Sequence, residues 1–261
     1  MRPARNTLFQ RGEGFSTIER DAVLEVALTR SMATNLMQSG SSQPPGAFEG
    51  IAKRARGTAL QRSLKRLIDV SVGSVAAALS LPVCIAIAAV IKIDSAGPIV
   101  FAADRIGEDG KAFKLYKFRS MIAGAHSKLD DLAHLNEGGK FMIKIPNDPR
   151  VTRAGRVLRK YSLDEIPQLW NVLRGDMSLV GPRPQAPNEV ALYDDYQRRR
   201  LSVPAGITGL WQVTARNDPR FEVWVAKDLE YIDKWSVWFD LVIMMKTLLV
   251  ILGGKDAAPS V

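Results

Sequence analysis

KRLIDVSVGSVAAALSLPVCIAIAAVIK, residues 65–92, is the stretch that decides the fold. From Leu67 to Ile91 it is apolar or small, interrupted only by Asp69 near its start and Pro82 beyond its centre. At about 1.5 Å per residue, a helix of this length can cross a hydrocarbon core of about 30 Å. Pro82 removes one helix hydrogen bond and its ring crowds the preceding turn, which predicts a kink near Ser80–Pro82. Lys65 and Arg66 precede the run and Lys92 follows it. Positive charge favours the cytoplasmic side of a membrane, so both ends are expected there. A helix that enters, bends at Pro82 and returns meets both constraints. An ordinary spanning helix or a buried core helix is the plainer alternative.

Outward from this run the chain divides. Residues 1–58, rich in Arg, Ser, Gly, Ala and Pro, read as a mobile basic extension. Within it Gln38–Gly46 (QSGSSQPPG) is linker-like, and a weak apolar pattern at Ala22–Leu28 allows one short helix. Met1–Arg11 lacks the apolar core of a secretory signal. Downstream, Gly97–Phe101 and Phe113–Phe118 flank the turn signals Gly107 and Asp109–Gly110, which predicts a β-hairpin or two short strands. Residues 123–141 read as helix plus loop, Val157–Arg174 and Tyr193–Leu201 as helical, and Phe221–Lys234 as an amphipathic helix. Trp235 and Trp238 precede Leu241–Leu252, an apolar run too short to span a bilayer. It suits either burial at a lipid interface or a core helix.

The formal net charge of +9 implies an anionic partner: nucleic acid, acidic lipid head groups or a phosphorylated substrate. Nucleic acid is disfavoured, because the aromatic residues are densest at Trp235–Phe239 instead of interleaving with the basic patch. Cys84 is the only cysteine and His126 and His134 the only histidines. That supply leaves no internal disulfide, no Cys-rich zinc site and little room for a Ser-His-Asp triad.

The chemistry concentrates in residues 150–184, RVTRAGRVLRKYSLDEIPQLWNVLRGDMSLVGPRP. Arg150, Arg153, Arg156 and Arg159 recur every third residue, which on a helix gathers positive charge along one side. Guanidinium groups suit phosphate oxygens, although a solvated basic face explains a charge run equally well. Ser162 and Glu165 have the spacing of a capping box, and Gly175 is a plausible helix stop. Alternatively Asp164 is the N-cap and Pro167 lies in the first turn. Either way Asp164 and Glu165 sit at a helix N-terminus. One carboxylate can face a substrate while the other holds a cation, and a hard oxygen ligand near phosphates suits Mg²⁺. A carboxylate can also act as a covalent nucleophile. A well-capped helix is the plain reading. Gly181-Pro182-Arg183-Pro184 then forms a stiff turn that projects Arg183.

SLDEIPQLWNVLRGDMSLVGPRP, residues 162–184, resembles the signature of the bacterial sugar transferases, the monotopic polyprenyl-phosphate phosphoglycosyl transferases. KRLIDVSVGS at 65–74, the apolar helix, KLYKFRSM at 114–121 and PAGITGLWQVTARND at 204–218 match in the same order. The likeness covers roughly 64–254, and several ordered motifs make chance an unlikely source. One departure is visible: Leu81 precedes Pro82, with Ser80 one position further back.

The resemblance implies a helix-rich α+β monotopic membrane protein in one domain over 59–261. Its parts would be a Pro82-kinked re-entrant helix at 67–91, a compact cytosolic catalytic region at 92–234 and an interfacial amphipathic helix at 238–253. It further implies transfer of a sugar-1-phosphate from a UDP-sugar to undecaprenyl phosphate with release of UMP, through a covalent aspartyl intermediate. The place implied is the cytoplasmic face of the bacterial inner membrane, at the first membrane step of exopolysaccharide, capsule or O-antigen synthesis. Carried over by motif, Asp164 is the nucleophile and Glu165 the Mg²⁺ ligand. Arg159 and Arg183 contact phosphate, and Lys117 and Arg119 are candidates of the same kind. A membrane-attached scaffold with an inactive domain is the non-enzyme alternative, which the intact Asp164–Glu165 pair argues against. The sugar, the pathway and the oligomeric state stay open, a homo-oligomer included.

Overall fold

The long apolar run becomes one helix, α1, over Ala59–Asp94. It starts eight residues before the apolar segment, where Thr58 and Gln61 form a reciprocal capping box. Its 36 residues would extend roughly 54 Å if straight. Pro82 lies inside the helix, and the hydroxyl of Ser80 donates to the carbonyl of Ala77 at 3.0 Å. In this computed structural model residues 57–125, 127–128, 130–136 and 145–252 are described, all within a compact unit spanning 44–261. The expected extension 1–58 lies outside the described residues apart from Gly57 and Thr58, as does residue 253 at the end of the expected interfacial helix.

α1 is not a core helix. Only 11% of its most apolar window is buried, and Leu67, Val75, Leu79, Leu81, Ile85 and Ile93 are exposed. Each such side chain forgoes about 1.5–3 kcal/mol of burial in water. A helix long and apolar enough to cross a membrane, with its apolar surface uncovered, marks a membrane-associated chain.

The antiparallel pair β1 (Val100–Ile106) and β2 (Ala112–Phe118) follows, with Val100 opposite Phe118 and Ile106 opposite Ala112. Its turn places Asp109 and Gly110 at positive φ. β1 begins three residues later than predicted and runs on through Ala102–Ile106, where no alternation signals a strand. Next come α2 (Arg153–Lys160), α3 (Gln168–Arg174) and β3 (Ser178–Val180). The short helices α4 (Pro187–Val190) and α5 (Asp195–Arg198) lead to β4 (Gly206–Thr208), which pairs parallel with β3. α6 (Leu210–Thr214), α7 (Phe221–Asp233) and α8 (Val237–Leu252) complete the described fold. The architecture is helix-rich α+β. The expected helix within 123–141 is a 3-10 turn at Asp130–Leu135, and residues 137–144 lie outside the described set.

The main core gathers Val172 from α3, Val180 from β3, Val225 and Tyr231 from α7 and Ile243 from α8. α7 buries Phe221, Val225, Leu229 and Ile232, an i, i+4, i+8, i+11 stripe. α8 packs on the core by one face and leaves the other uncovered. Ile243 is buried in the core, whereas Trp238, Met245, Leu248 and Leu249 are exposed.

Both ends of α1 are fastened to this body. Lys65 pairs with Asp240 at 2.7 Å and donates to the Val180 carbonyl at 3.0 Å. Arg66 forks to the carbonyls of Val172 and Leu173, orphan acceptors at the end of α3, at 2.6 and 2.8 Å. Buried Asp69 accepts from the Ser178 hydroxyl at 3.0 Å and the Leu179 amide at 2.9 Å. At the far end Asp94 accepts from the Ala154 amide in the first turn of α2 at 3.0 Å, and Ile87 and Ile91 pack with Phe118 and Leu158. The charges read as membrane flanks are therefore also clamps.

The stretch Val157–Arg174 is not one helix. α2 ends after Lys160, Ser162 takes a left-handed conformation (φ 54), and Leu163–Glu165 forms a 3-10 turn. The reason is local: Pro167 has no N–H, and α3 opens only behind it, at Gln168. Ser162 makes no capping bond, and its hydroxyl accepts from Arg216 at 3.3 Å. Gly175 does stop α3, at φ 90.

Candidate active site

The two carboxylates project from the 3-10 turn between α2 and α3, and both are buried. Glu165 is paired through both oxygens, with one acceptor site of Oε2 left over. Arg183 donates to its two oxygens at 2.6 and 3.3 Å, and Lys117 to Oε1 at 3.2 Å. Asp164 is not: its Oδ1 is buried without a hydrogen-bond partner among the described residues. An ionised oxygen left that way costs about 1–3 kcal/mol or more, so its retention needs a reason.

Electrostatics separate the neighbours. Burial pushes the Asp164 carboxyl up, against the pull of Lys117, Arg159 and Arg183 and with added push from Glu165. Burial acts on Glu165 in the same sense, but Arg183 and Lys117 outweigh it and hold its carboxyl far below the usual range. Burial pushes Lys117 down, opposed chiefly by Glu165. Arg183 is held up by Glu165 despite its own burial. The turn thus carries one carboxylate held in its ionised form by two cations and another whose carboxyl is raised by burial.

Each cation has an identifiable support. Lys117 stands on β2, whose neighbour strand is β1. On its other side the amide side chain of Asn171 in α3 accepts from Tyr116 N–H at 3.1 Å and donates to the Lys114 carbonyl at 2.7 Å. Arg159, in the last turn of α2, donates from Nε to the Ser120 hydroxyl at 2.9 Å. Gly155 lets α2 approach β2's continuation, since a Cβ there would lie 2.0 Å from the Ser120 carbonyl oxygen. Arg183 leaves the turn after β3, where the Gly181 amide donates to Thr208 and the Gly206 amide to Pro182, both at 2.9 Å.

Five predicted residues therefore converge: Asp164, Glu165, Lys117, Arg159 and Arg183. Arg119 does not join them. Its guanidinium forks to the carbonyls of Ala96 and Ser95 at 2.5 and 2.6 Å and ties down the end of α1. Pro82 lies about two-thirds of the way along α1 and makes none of the contacts of the turn. Of the arginine run, Arg150 precedes α2 and is spent on Asp148 at 2.7 Å.

The profile of the bacterial sugar transferases matches residues 60–254. The chain belongs to that family. The family's relatives share its sequence over the same region. Galactosyl transferase CpsE of Streptococcus agalactiae is 42% identical over 194 residues, covering 74% of this chain and 43% of CpsE. Exopolysaccharide production protein ExoY of Rhizobium meliloti is 43% identical over 188 residues, covering 70% of this chain and 83% of ExoY. UDP-glucose:undecaprenyl-phosphate glucose-1-phosphate transferase of Escherichia coli is 40% identical over 200 residues, covering 72% and 40%. The chain thus spans less than half of two of these relatives and most of the third.

In this sugar transferase, sequence reading missed Arg105. It is half-buried, and Glu189, Arg183 and Asp104 are the charges that act on it. The available signal was register: Arg105 faces Phe113 and Lys117 faces Phe101, so both cations fall on one face of the hairpin.

Proposed function

We propose that this chain is a phosphoglycosyl transferase that moves a sugar-1-phosphate from a UDP-sugar to undecaprenyl phosphate. The observation that carries the reading is the unpartnered, buried Oδ1 of Asp164 among Lys117, Arg159 and Arg183. That oxygen attacks the sugar-bearing phosphorus of the donor. The bond to the bridging oxygen breaks, UMP leaves with that oxygen, and an aspartyl phospho-sugar remains. An oxygen of the lipid phosphate then attacks the same phosphorus and expels the Asp164 carboxylate, giving a polyprenyl diphospho-sugar. Arg159, Arg183 and Lys117 neutralise the charge that develops on the phosphoryl oxygens. A soluble donor and a lipid acceptor can use one site in turn because the intermediate stays on the chain.

The residues fit Mg²⁺ when substrate oxygens complete its shell. Among the described residues no three His, Cys, Asp or Glu side chains gather. Mg²⁺ is commonly held by one or two carboxylates together with phosphate. Glu165, adjacent to the nucleophile, is the residue to hold it, and the ion when bound would offset diphosphate charge.

α1 then works as a re-entrant helix bent at Pro82, because Lys65 to Asp69 at one end and Asp94 at the other are held by one body. The exposed apolar face of α8 lies in the interface of the same leaflet. Positive charge at both ends of α1 supports the cytoplasmic side of the inner membrane for that leaflet. The relatives' names support an undecaprenyl-phosphate acceptor and a role in exopolysaccharide synthesis. The test is UMP release by purified protein in nanodiscs with Mg²⁺, undecaprenyl phosphate and a panel of UDP-sugars. Release with one sugar supports the reading and names the donor. Release with none, from folded protein, favours an inactive scaffold.

A further inference from the structure

The Arg183 turn is built of two prolines around one arginine, so its backbone has few partners of its own. The carbonyl of Arg183 accepts from Nη2 of Arg200 at 3.3 Å. Arg200 is itself held on every side. Its Nε donates to Asp228 Oδ2 at 2.8 Å, and its Nη1 donates to the Tyr193 hydroxyl. Its guanidinium also lies 5.5 Å from the Phe221 ring centre and 5.7 Å from that of Tyr193. We infer that Arg200, fixed by Asp228 and Tyr193, is the positioning residue that aims Arg183 at Glu165 and the donor phosphates. This rests on the phosphate-contact role of Arg183 proposed above.

Stability alone is a poor explanation for this cluster. Arg200 and Asp228 are 3% and 0% exposed, and the desolvation of such a pair largely offsets its attraction. An apolar pair of similar volume would serve the core as well or better. What an apolar pair lacks is a fork of donors that reaches three elements at once. Arg200 joins the link between α4 and α5 through Tyr193, α7 through Asp228, and the Arg183 turn through its carbonyl. A lysine has no such fork. Burial pushes the Tyr193 hydroxyl up to about 12, so it remains a neutral acceptor for Arg200 through neutral pH.

A double-mutant cycle decides the matter. Arg183→Ala, Arg200→Lys and the combined variant are assayed for UMP release, with unfolding midpoints recorded for each. Arg200→Lys is expected to lower kcat roughly tenfold to hundredfold, the range for a small misplacement of a catalytic contact. It should change kcat less than about twofold once Arg183 is already alanine, because the two act as a unit. Equal losses in both backgrounds, or no loss with Arg183 intact, overturn the role of Arg200. Full activity of Arg183→Ala instead overturns the reading of Arg183, a separate result. If Arg200→Lys does not fold, the same cycle with Tyr193→Phe, which deletes one hydroxyl, gives the answer by the same criterion.

Discussion

Asp164 carries two consequences that pull in opposite directions. Its carboxyl is raised by burial, so the folded chain binds its proton more tightly than the unfolded chain does. Stability contributed by this group therefore falls as pH rises from the ordinary aspartate range through the raised value. Above that value the ionised side chain burdens the fold. Asp164→Asn is expected to abolish turnover while raising the unfolding midpoint at neutral pH by a few degrees, a gain that fades on acidification. Turnover needs the carboxylate, so the acid limb of kcat/KM for the wild type should lie above the ordinary range near 3.8. An acid limb at or below that range would exclude Asp164 as the ionising group. At this scale the sequence was highly legible for Asp164, Glu165, Lys117, Arg159 and Arg183, because short ordered motifs carry them. Arg119 and Arg105 were not legible. Strand parity says which face a side chain takes, but not whether its guanidinium finds the carbonyls of Ser95 or the neighbourhood of Glu189.

Among the elements, α1 holds the account together. Asp69 satisfies the Leu179 amide and the Ser178 hydroxyl, both buried. Asp69→Ala strands them, at about 1–3 kcal/mol for each unsatisfied group, and should lower the unfolding midpoint in detergent by several degrees. Arg62→Ala, at an exposed position about two turns earlier, should change it little. A shift no larger than that of Arg62→Ala would show that α1 is not clamped through Asp69. α1, the hairpin, α7 and α8 were readable from apolar periodicity and turn residues. The break near Ser162 was readable only in part: the capping-box spacing and Pro167 marked a helix start, but a serine at positive φ leaves no compositional mark of the 3-10 turn that holds the two carboxylates. The capping box at Thr58–Gln61 was present in the sequence and went unread.

At the largest scale, the described residues form a body that grips one apolar helix at both ends, and that topology is testable. In a Cys84→Ser background, single cysteines at Arg62 and Lys92 should both react with a membrane-impermeant maleimide in inverted vesicles and neither in intact spheroplasts. Labelling of the two positions from opposite sides would mean that α1 crosses the bilayer. The length and apolar exposed surface of α1 were legible in its hydropathy. The grip was not, since Lys65, Arg66 and Asp69 look like flanking charges until their partners on α3, β3 and α8 are known. The central claim is that Asp164 becomes covalently charged with the phospho-sugar. Intact-mass measurement of the protein after incubation with its UDP-sugar and Mg²⁺, without acceptor lipid, tests it most directly. A species heavier by one phospho-sugar is expected, formed with one UMP, lost on adding undecaprenyl phosphate and absent in Asp164→Asn. Unmodified mass from a protein that turns over only when both substrates are present would contradict it.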